Sequence, residues 1–351
     1  MKKLTPLFTL LFLFSVALAQ TNPSLFVPAN NGNIQYIGRF DFSDKSKPVF
    51  MYSGTAVKTS FTGTSVSIKL LDDSLRNWFT VILDDSIFSF EANKKDGLYL
   101  LAKNLLNKKH NLEITRRTEW HGGNTTFEGF MIDAGKKLLP VAKRKRTIEF
   151  IGDSYTCGYG NEGKSREEHF TYATENNYLS YGAIVARALQ ADYVGICRSG
   201  IGMYQGYGGD TKFAMPDFYN AVINNKKSVW NYAALQPAMV VIDLSGNDFS
   251  AKLDSIKFTA AYLKFLTSVR KNYPKAIIVC AAGPSGTGEK FNTQRNYVQA
   301  VVNTFQKNNK WVYYFAFSPV GMNGSDWHPN VAEHKNMADE LIPFLKTIAH
   351  W

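Results

Sequence analysis

The hydrophobic period of this chain changes near its middle, and that change constrains the fold more than any other feature. Up to Leu139 the apolar residues alternate or cluster in short runs. Ile34–Phe42, Ser65–Leu71, Trp78–Asp84, Asp96–Leu101, His110–Arg116 and Thr126–Asp133 read as strands rich in β-branched and aromatic side chains. Turn residues at Phe61–Thr64, Asp84–Asp85 and Gly122–Asn124 punctuate them. Many short strands at even spacing predict a β-sandwich, jelly-roll-like in kind.

Beyond Arg146 the period becomes that of alternating strands and helices. Thr147–Ile151, Tyr193–Cys197, Ala238–Leu244, Ala276–Ala282 and Trp311–Phe317 are near-continuous apolar runs. Helical spacing recurs over Tyr181–Leu189, Asp254–Lys271, Asn292–Gln306 and Ala332–Ile348. Fully apolar strands alternating with helices predict a five-stranded parallel sheet buried in a three-layer α/β/α domain. The expected division is a leader over residues 1–19, a β-domain over 20–142 and an α/β domain over 143–351. The basic run from Lys136 through Arg146 between them reads as a solvated linker.

Lys2-Lys3, the apolar stretch Leu7–Leu18 and the Ala17-Leu18-Ala19 site have the layout of a secretory signal peptide cut after Ala19. That stretch is shorter than the ~20 residues of a membrane-spanning helix, so no membrane anchor is expected. The protein is therefore expected to be periplasmic or secreted. Cys157, Cys197 and Cys280 match no zinc spacing and read as small buried hydrophobes, or as one pairing of Cys157 with Cys197 if their segments are adjacent. The net charge is +11, with Lys2 and Lys3 in the leader. No interleaved basic-aromatic groove motif accompanies it, so nucleic acid is not an expected partner.

Function in a parallel α/β sheet concentrates at the carboxyl ends of its strands. The first predicted strand ends in Gly152-Asp153-Ser154, which exposes a serine at a tight turn near free backbone N–H groups. The second ends in Arg198-Ser199-Gly200, where a glycine lets the backbone approach a ligand and offer an N–H. Ser245-Gly246-Asn247-Asp248 ends the third, and the Asn247 amide can donate to a developing oxyanion. After the fifth comes Asp326-Trp327-His328-Pro329, with a histidine able to act as general base. Each motif alone has an ordinary structural explanation as a cap, turn or solvated loop. His110, His121, His169, His334 and His350 lie at no strand carboxyl end of this half. Serine, glycine, asparagine and histidine falling in this order on one sheet is a much more specific signal.

Ser154, Gly200, Asn247 and His328 resemble the four signature residues of the SGNH, or GDSL-type, hydrolases. More narrowly, Phe150–Gly163 and Asp326–Pro329 resemble carbohydrate esterase family 2, whose acetylxylan esterase-like members join a jelly-roll domain to an SGNH domain. The resemblance implies a secreted serine esterase that deacetylates plant cell-wall polysaccharide through an acetyl-enzyme on Ser154. It implies an oxyanion hole of the Ser154 and Gly200 N–H groups with Asn247, and neither metal nor cofactor. Two departures stand out: Ser245-Gly246 replaces the common Gly-Thr or Gly-Gly, and the acid lies two residues before His328, with Ser325 at the usual position. Asp326 then either completes a triad with His328 or leaves that place to a backbone carbonyl. Trp327 is expected to stack on sugar, with Tyr204 and Tyr207 as weaker contacts. Glu119 and Trp120-His121-Gly122-Gly123 read as core or surface of the first half, with reach into the cleft as the other option. The competing functions are a lipase or esterase for other acyl groups, and a non-catalytic carbohydrate-binding protein. Hydrolysis of 4-nitrophenyl acetate against longer chains separates them.

Overall fold

The computed structural model describes residues 23–224, 228–244, 246–284 and 288–351. The expected leader, its junction after Ala19, and Ser245 lie outside the described residues.

Among the described residues, the first half holds β1 (Ser24–Pro28), β2 (Gln35–Ile37), β3 (Val49–Phe50), β4 (Ala56–Gly63), β5 (Val66–Asp72), β6 (Trp78–Leu83), β7 (Ser86–Glu91), β8 (Leu98–Ala102), β9 (Lys108–Arg116), β10 (Thr125–Asp133) and β11 (Leu138–Leu139). They pair antiparallel into two sheets, ordered β1-β10-β5-β8 with β3 also on β10, and β11-β4-β9-β6-β7 with β2 also on β4. Alternation sets the inward faces. In β5 every second residue is buried, and Val66, Ile68 and Leu70 meet Phe79, Val81, Leu112 and Ile114 of the other sheet in one apolar core. This is the predicted sandwich.

Two differences from the predicted strands have physical causes. The pattern Ala56–Gly63 was legible only as the turn Phe61–Thr64, yet it forms the interior strand β4. Its outer face is covered by the second half, where Lys58 lies 3.4 Å from Asp192, so burial on both faces hides the alternation. At the opposite edge, β7 is largely exposed and carries little apolar signal inward.

The second half contains β12 (Arg146–Gly152), α1 (Ser154–Cys157), α2 (Tyr181–Ala188), β13 (Ala191–Cys197), α3 (Met215–Phe218), β14 (Met239–Asp243), α4 (Ser255–Asn272), β15 (Ile277–Ala282), α5 (Glu289–Gln306), β16 (Val312–Ala316) and α6 (Val331–Ala349). Its parallel sheet is ordered β13-β12-β14-β15-β16. Val240 and Ile242 pack with α4 and α5, while Met239 and Val241 pack with α2 and α6. Burial on both faces explains why these strands read as continuous apolar runs.

The sheet order determines where the site forms. β12 lies between β13 and β14, so Gly152 ends beside both Cys197 and Asp243. The chain reverses its direction of winding there, and that switch point opens a crevice at the strand ends. The segments after β12, β13 and β14 converge on it.

The halves are joined by buried polar contacts. The Arg39 guanidinium, fully buried, lies 3.5 Å from Glu149 and donates to the Tyr219 and Ala221 carbonyls. In the basic run Lys143 and Lys145 are exposed. Arg144 instead donates to the Ala191 carbonyl, and Arg146 lies over the Trp351 ring. All three cysteines are buried and free, so the Cys157–Cys197 pairing is not made.

Candidate active site

The nucleophile candidate sits where β12 meets α1. Asp153 caps that short helix, accepting the Tyr155 N–H at 3.2 Å. Ser154 is nearly buried, and its Oγ lies 2.9 Å from His328 Nε2. The other imidazole nitrogen, Nδ1, meets the backbone carbonyls of Asp326 at 2.9 Å and Ser325 at 3.2 Å. With an N–H at Nδ1, the carbonyls hold the tautomer whose Nε2 accepts a proton from serine. The tautomer follows from the partners of each nitrogen.

Of the two options for Asp326, the carboxylate on His328 is the one the structure does not show, because backbone carbonyls occupy Nδ1. That carboxylate accepts instead from Phe170 N at 2.8 Å and Tyr159 Oη at 3.0 Å, and meets His169 Nδ1 at 2.9 Å. Burial raises its pKa, but these hydrogen bonds outweigh burial and hold it below the ordinary aspartate value. The reason is backbone shape. Asp326 and Trp327 both have left-handed φ, 50° and 61°, which turns the Asp326 carbonyl toward the imidazole and its side chain away. Two such non-glycine residues store roughly 1–3 kcal/mol each, so the surroundings must impose the conformation. They do so through the nucleophile segment. Ser325 N donates to the Gly160 carbonyl and Asp326 N to the Glu168 carbonyl, both at 2.9 Å. At Gly163 a Cβ would stand 2.2 Å from Ser325 Oγ, so only glycine lets the two segments close. The long motif Phe150–Gly163 thus seats the histidine loop as well as the serine.

His328 is pulled below the ordinary histidine pKa by burial, partly offset by its two carbonyl acceptors. A neutral imidazole near pH 7 is the form a general base needs. The rings of Tyr159 and Tyr155 lie 4.3 Å and 5.6 Å from it.

The oxyanion candidates come from the neighbouring strand ends. Gly200 has φ +78°, the left-handed region that favours glycine. Its carbonyl accepts Tyr207 N at 2.8 Å. The loop beyond is held by Asp248, which accepts the N–H groups of Met203, Tyr204 and Gln205 at 2.7, 2.8 and 2.9 Å. Asn247 lines the cleft, donating Nδ2 to the Ile201 carbonyl at 2.8 Å and more weakly to Asp153 at 3.2 Å. Burial pushes Asp153 up to about 7.

A cleft of about 560 Å³ contains Ser154, Asn247, Trp327 and His328 together. Trp327 is 58% exposed and Tyr207 74% exposed, with the Arg166 guanidinium over the Trp327 ring at 4.5 Å. Neither Gly200 nor Tyr204 lines this cleft, and Tyr204 is corrected because its ring packs against the core instead. Sequence reasoning missed Phe291 and Gln294, which line the cleft from α5. Their spacing of three places them on one helix face, but nothing in composition marks that face as the cleft side. Asp248 was legible only as the neighbour of Asn247.

A serine–histidine pair at the switch point of a parallel α/β/α sheet, with glycine and asparagine on the adjacent strand ends, defines a GDSL-type serine hydrolase. Residues 150–336 match the GDSL-like lipase/acylhydrolase family and residues 36–141 match the carbohydrate esterase 2 N-terminal family. The cellulase/esterase CelE of Acetivibrio thermocellus is 39% identical over 329 residues, 92% of this chain but 40% of CelE, so the chain spans less than half of that relative. An acetylxylan esterase/glucomannan deacetylase of Cellvibrio japonicus is 30% identical over 321 residues, 87% of this chain and 88% of that protein. A family two carbohydrate esterase from Clostridium thermocellum, solved in complex with cellohexaose, matches with TM-score 0.87 and 39% identity over 91% of this chain and 99% of that one. The chain belongs to carbohydrate esterase family 2.

Proposed function

We propose that this chain is exported and removes O-acetyl groups from plant cell-wall polysaccharide, acetylated xylan or glucomannan. The observation that carries the reading is the 2.9 Å contact of Ser154 Oγ with a half-buried His328 whose other nitrogen faces carbonyls. The names of the Cellvibrio relatives point to the same substrates.

In this mechanism His328 Nε2 takes the Ser154 proton as Oγ bonds to the acetyl carbonyl carbon. The oxyanion forms against the Ser154 and Gly200 N–H groups and the Asn247 amide. As the ester C–O bond breaks, His328 returns the proton to the sugar oxygen. Water then attacks the acetyl-enzyme, giving a proton to His328; the Oγ–acyl bond breaks, His328 returns the proton to Ser154 Oγ, and acetate leaves. Trp327 and Tyr207 offer exposed rings on which sugar faces can stack. The test is acetate release from acetylated xylan and glucomannan, read by NMR at each hydroxyl. Wild type releases acetate and Ser154→Ala does not; equal release by both would sink the reading.

A further inference from the structure

Glu119 belongs to the β-domain, yet its side chain is buried against the catalytic loops. Its Oε2 accepts the Ser199 N–H at 2.7 Å, and Oε1 accepts the Ser199 hydroxyl in a short bond. The Cys157 thiol, at the end of α1, donates to Oε2 from 3.6 Å. One carboxylate thus meets both the residue before Gly200 and the helix that begins at Ser154. Burial opposes its charge, but hydrogen bonds from His121 and Ser199 outweigh burial and hold it below the ordinary glutamate range. Bonds to an ionised acceptor are about twice as strong as neutral ones.

Glu119 is itself rigidly presented. Arg116, fully buried, donates Nε to the Thr118 carbonyl at 2.8 Å. Its Nη2 reaches the Glu119 and Gly123 carbonyls, both at 2.9 Å, and Asn77 Oδ1 at 2.8 Å. Arg117 points the other way, to the Glu175 and Ala173 carbonyls at 3.1 and 3.0 Å and to the Glu162 carboxylate. Glu175, buried beside Glu119, is pushed well above the ordinary range by burial and then by that neighbour, and its carboxyl accepts the Glu119 N–H at 3.2 Å.

The Ser199–Gly200 peptide sits at the centre of a turn that the Ile201 N–H closes on the Arg198 carbonyl at 3.3 Å, and the Gly200 carbonyl accepts Tyr207 N at 2.8 Å. The Glu119 carboxylate adds the bonds that hold the entry to that turn, through both the N–H and the hydroxyl of Ser199. We infer that Glu119 is a positioning residue of the oxyanion hole, acting through Ser199 to aim the Gly200 N–H, and that the β-domain is therefore part of the catalytic apparatus. This rests on the ester-hydrolysis reading above.

The test uses the full chain with 4-nitrophenyl acetate, rates being counted per serine titrated by a phosphonate. Removing an oxyanion donor costs ~10²–10³ in rate, so misaiming one through Glu119→Gln is expected to lower kcat by roughly 10–100-fold with KM within about two-fold. Ser199→Ala keeps the N–H bond and is expected to lose less. The double variant should be no slower than Glu119→Gln alone, because both act through one contact. Glu119→Gln with wild-type kcat per titrated serine overturns the inference, as do fully additive losses. If Glu119→Gln does not fold, Ser199→Ala decides, and an unchanged kcat there overturns it. Wild type inactive on every acetyl ester would instead sink the hydrolysis reading.

Discussion

Two loops carrying a carboxylate approach the site, and they differ in an instructive way. Asp326 is two residues from His328 in sequence, but its side chain turns to Tyr159, His169 and Phe170. Glu119 lies in the other domain, but its side chain grips Ser199 beside Gly200. In the first loop the backbone does the chemistry-facing work and the acid holds the loop. In the second, a distant acid reaches the loop that faces the chemistry. Nearness in sequence therefore leaves the role of the nearer acid undecided, and the backbone dihedrals of Asp326 and Trp327 explain why.

Experiments can break or sharpen this contrast. The largest effect belongs to the reacting pair: His328→Ala should lower kcat by ~10³-fold or more, as loss of a base and its coupled nucleophile does elsewhere. Initial rates on 4-nitrophenyl acetate measure it. Glu119→Gln stands next, with the roughly 10–100-fold loss argued from the donor it aims.

Asp326→Asn is the sharper comparison. Loss of a true triad carboxylate costs ~10⁴ in kcat, whereas here the expected loss is below about 10-fold, since the carbonyl on Nδ1 remains. A 10⁴-fold loss would restore Asp326 as the acid of a triad. The smallest effect is at Trp327. Its replacement by alanine should raise KM on polysaccharide by a few-fold, from ~0.5–1.5 kcal/mol of ring contact, and leave 4-nitrophenyl acetate hydrolysis unchanged.

The pH profile tests the same arrangement from the proton side. The proposed mechanism needs His328 neutral, so activity is expected to fall as pH drops through its pKa. Burial lowers that pKa below the ordinary 6.5, while the Asp326 and Ser325 carbonyls and the charges of Asp326 and Glu119 pull it back up. Burial prevails, and the acid limb of kcat/KM should centre below pH 6.5. An inflection above 6.5 would mean that a carboxylate reaches the imidazole.

How much of this was legible beforehand follows from what pattern can encode. The parallel strands and their helices were readable because burial on both faces leaves uninterrupted apolar runs such as Met239 to Ile242. β4 was not, because its outer face is covered by the second half rather than by solvent. Ser154, Gly200, Asn247 and His328 could be found because strand ends in such a sheet converge. The orientation of Asp326 could not, because it depends on two dihedral angles that residue types do not specify. Glu119 could be singled out as a loop residue, but its partner Ser199 is 80 positions away, and only the packing of the two halves joins them.

The central claim is that Ser154 carries the acyl group. Acid quench of the enzyme during turnover of an acetylated xylo-oligosaccharide, followed by peptide mass spectrometry, tests it directly. The account predicts one acetyl group on the peptide containing Ser154, absent in Ser154→Ala and in enzyme quenched without substrate. Sustained acetate release with that serine unmodified at every quench time, and undiminished in Ser154→Ala, would contradict it.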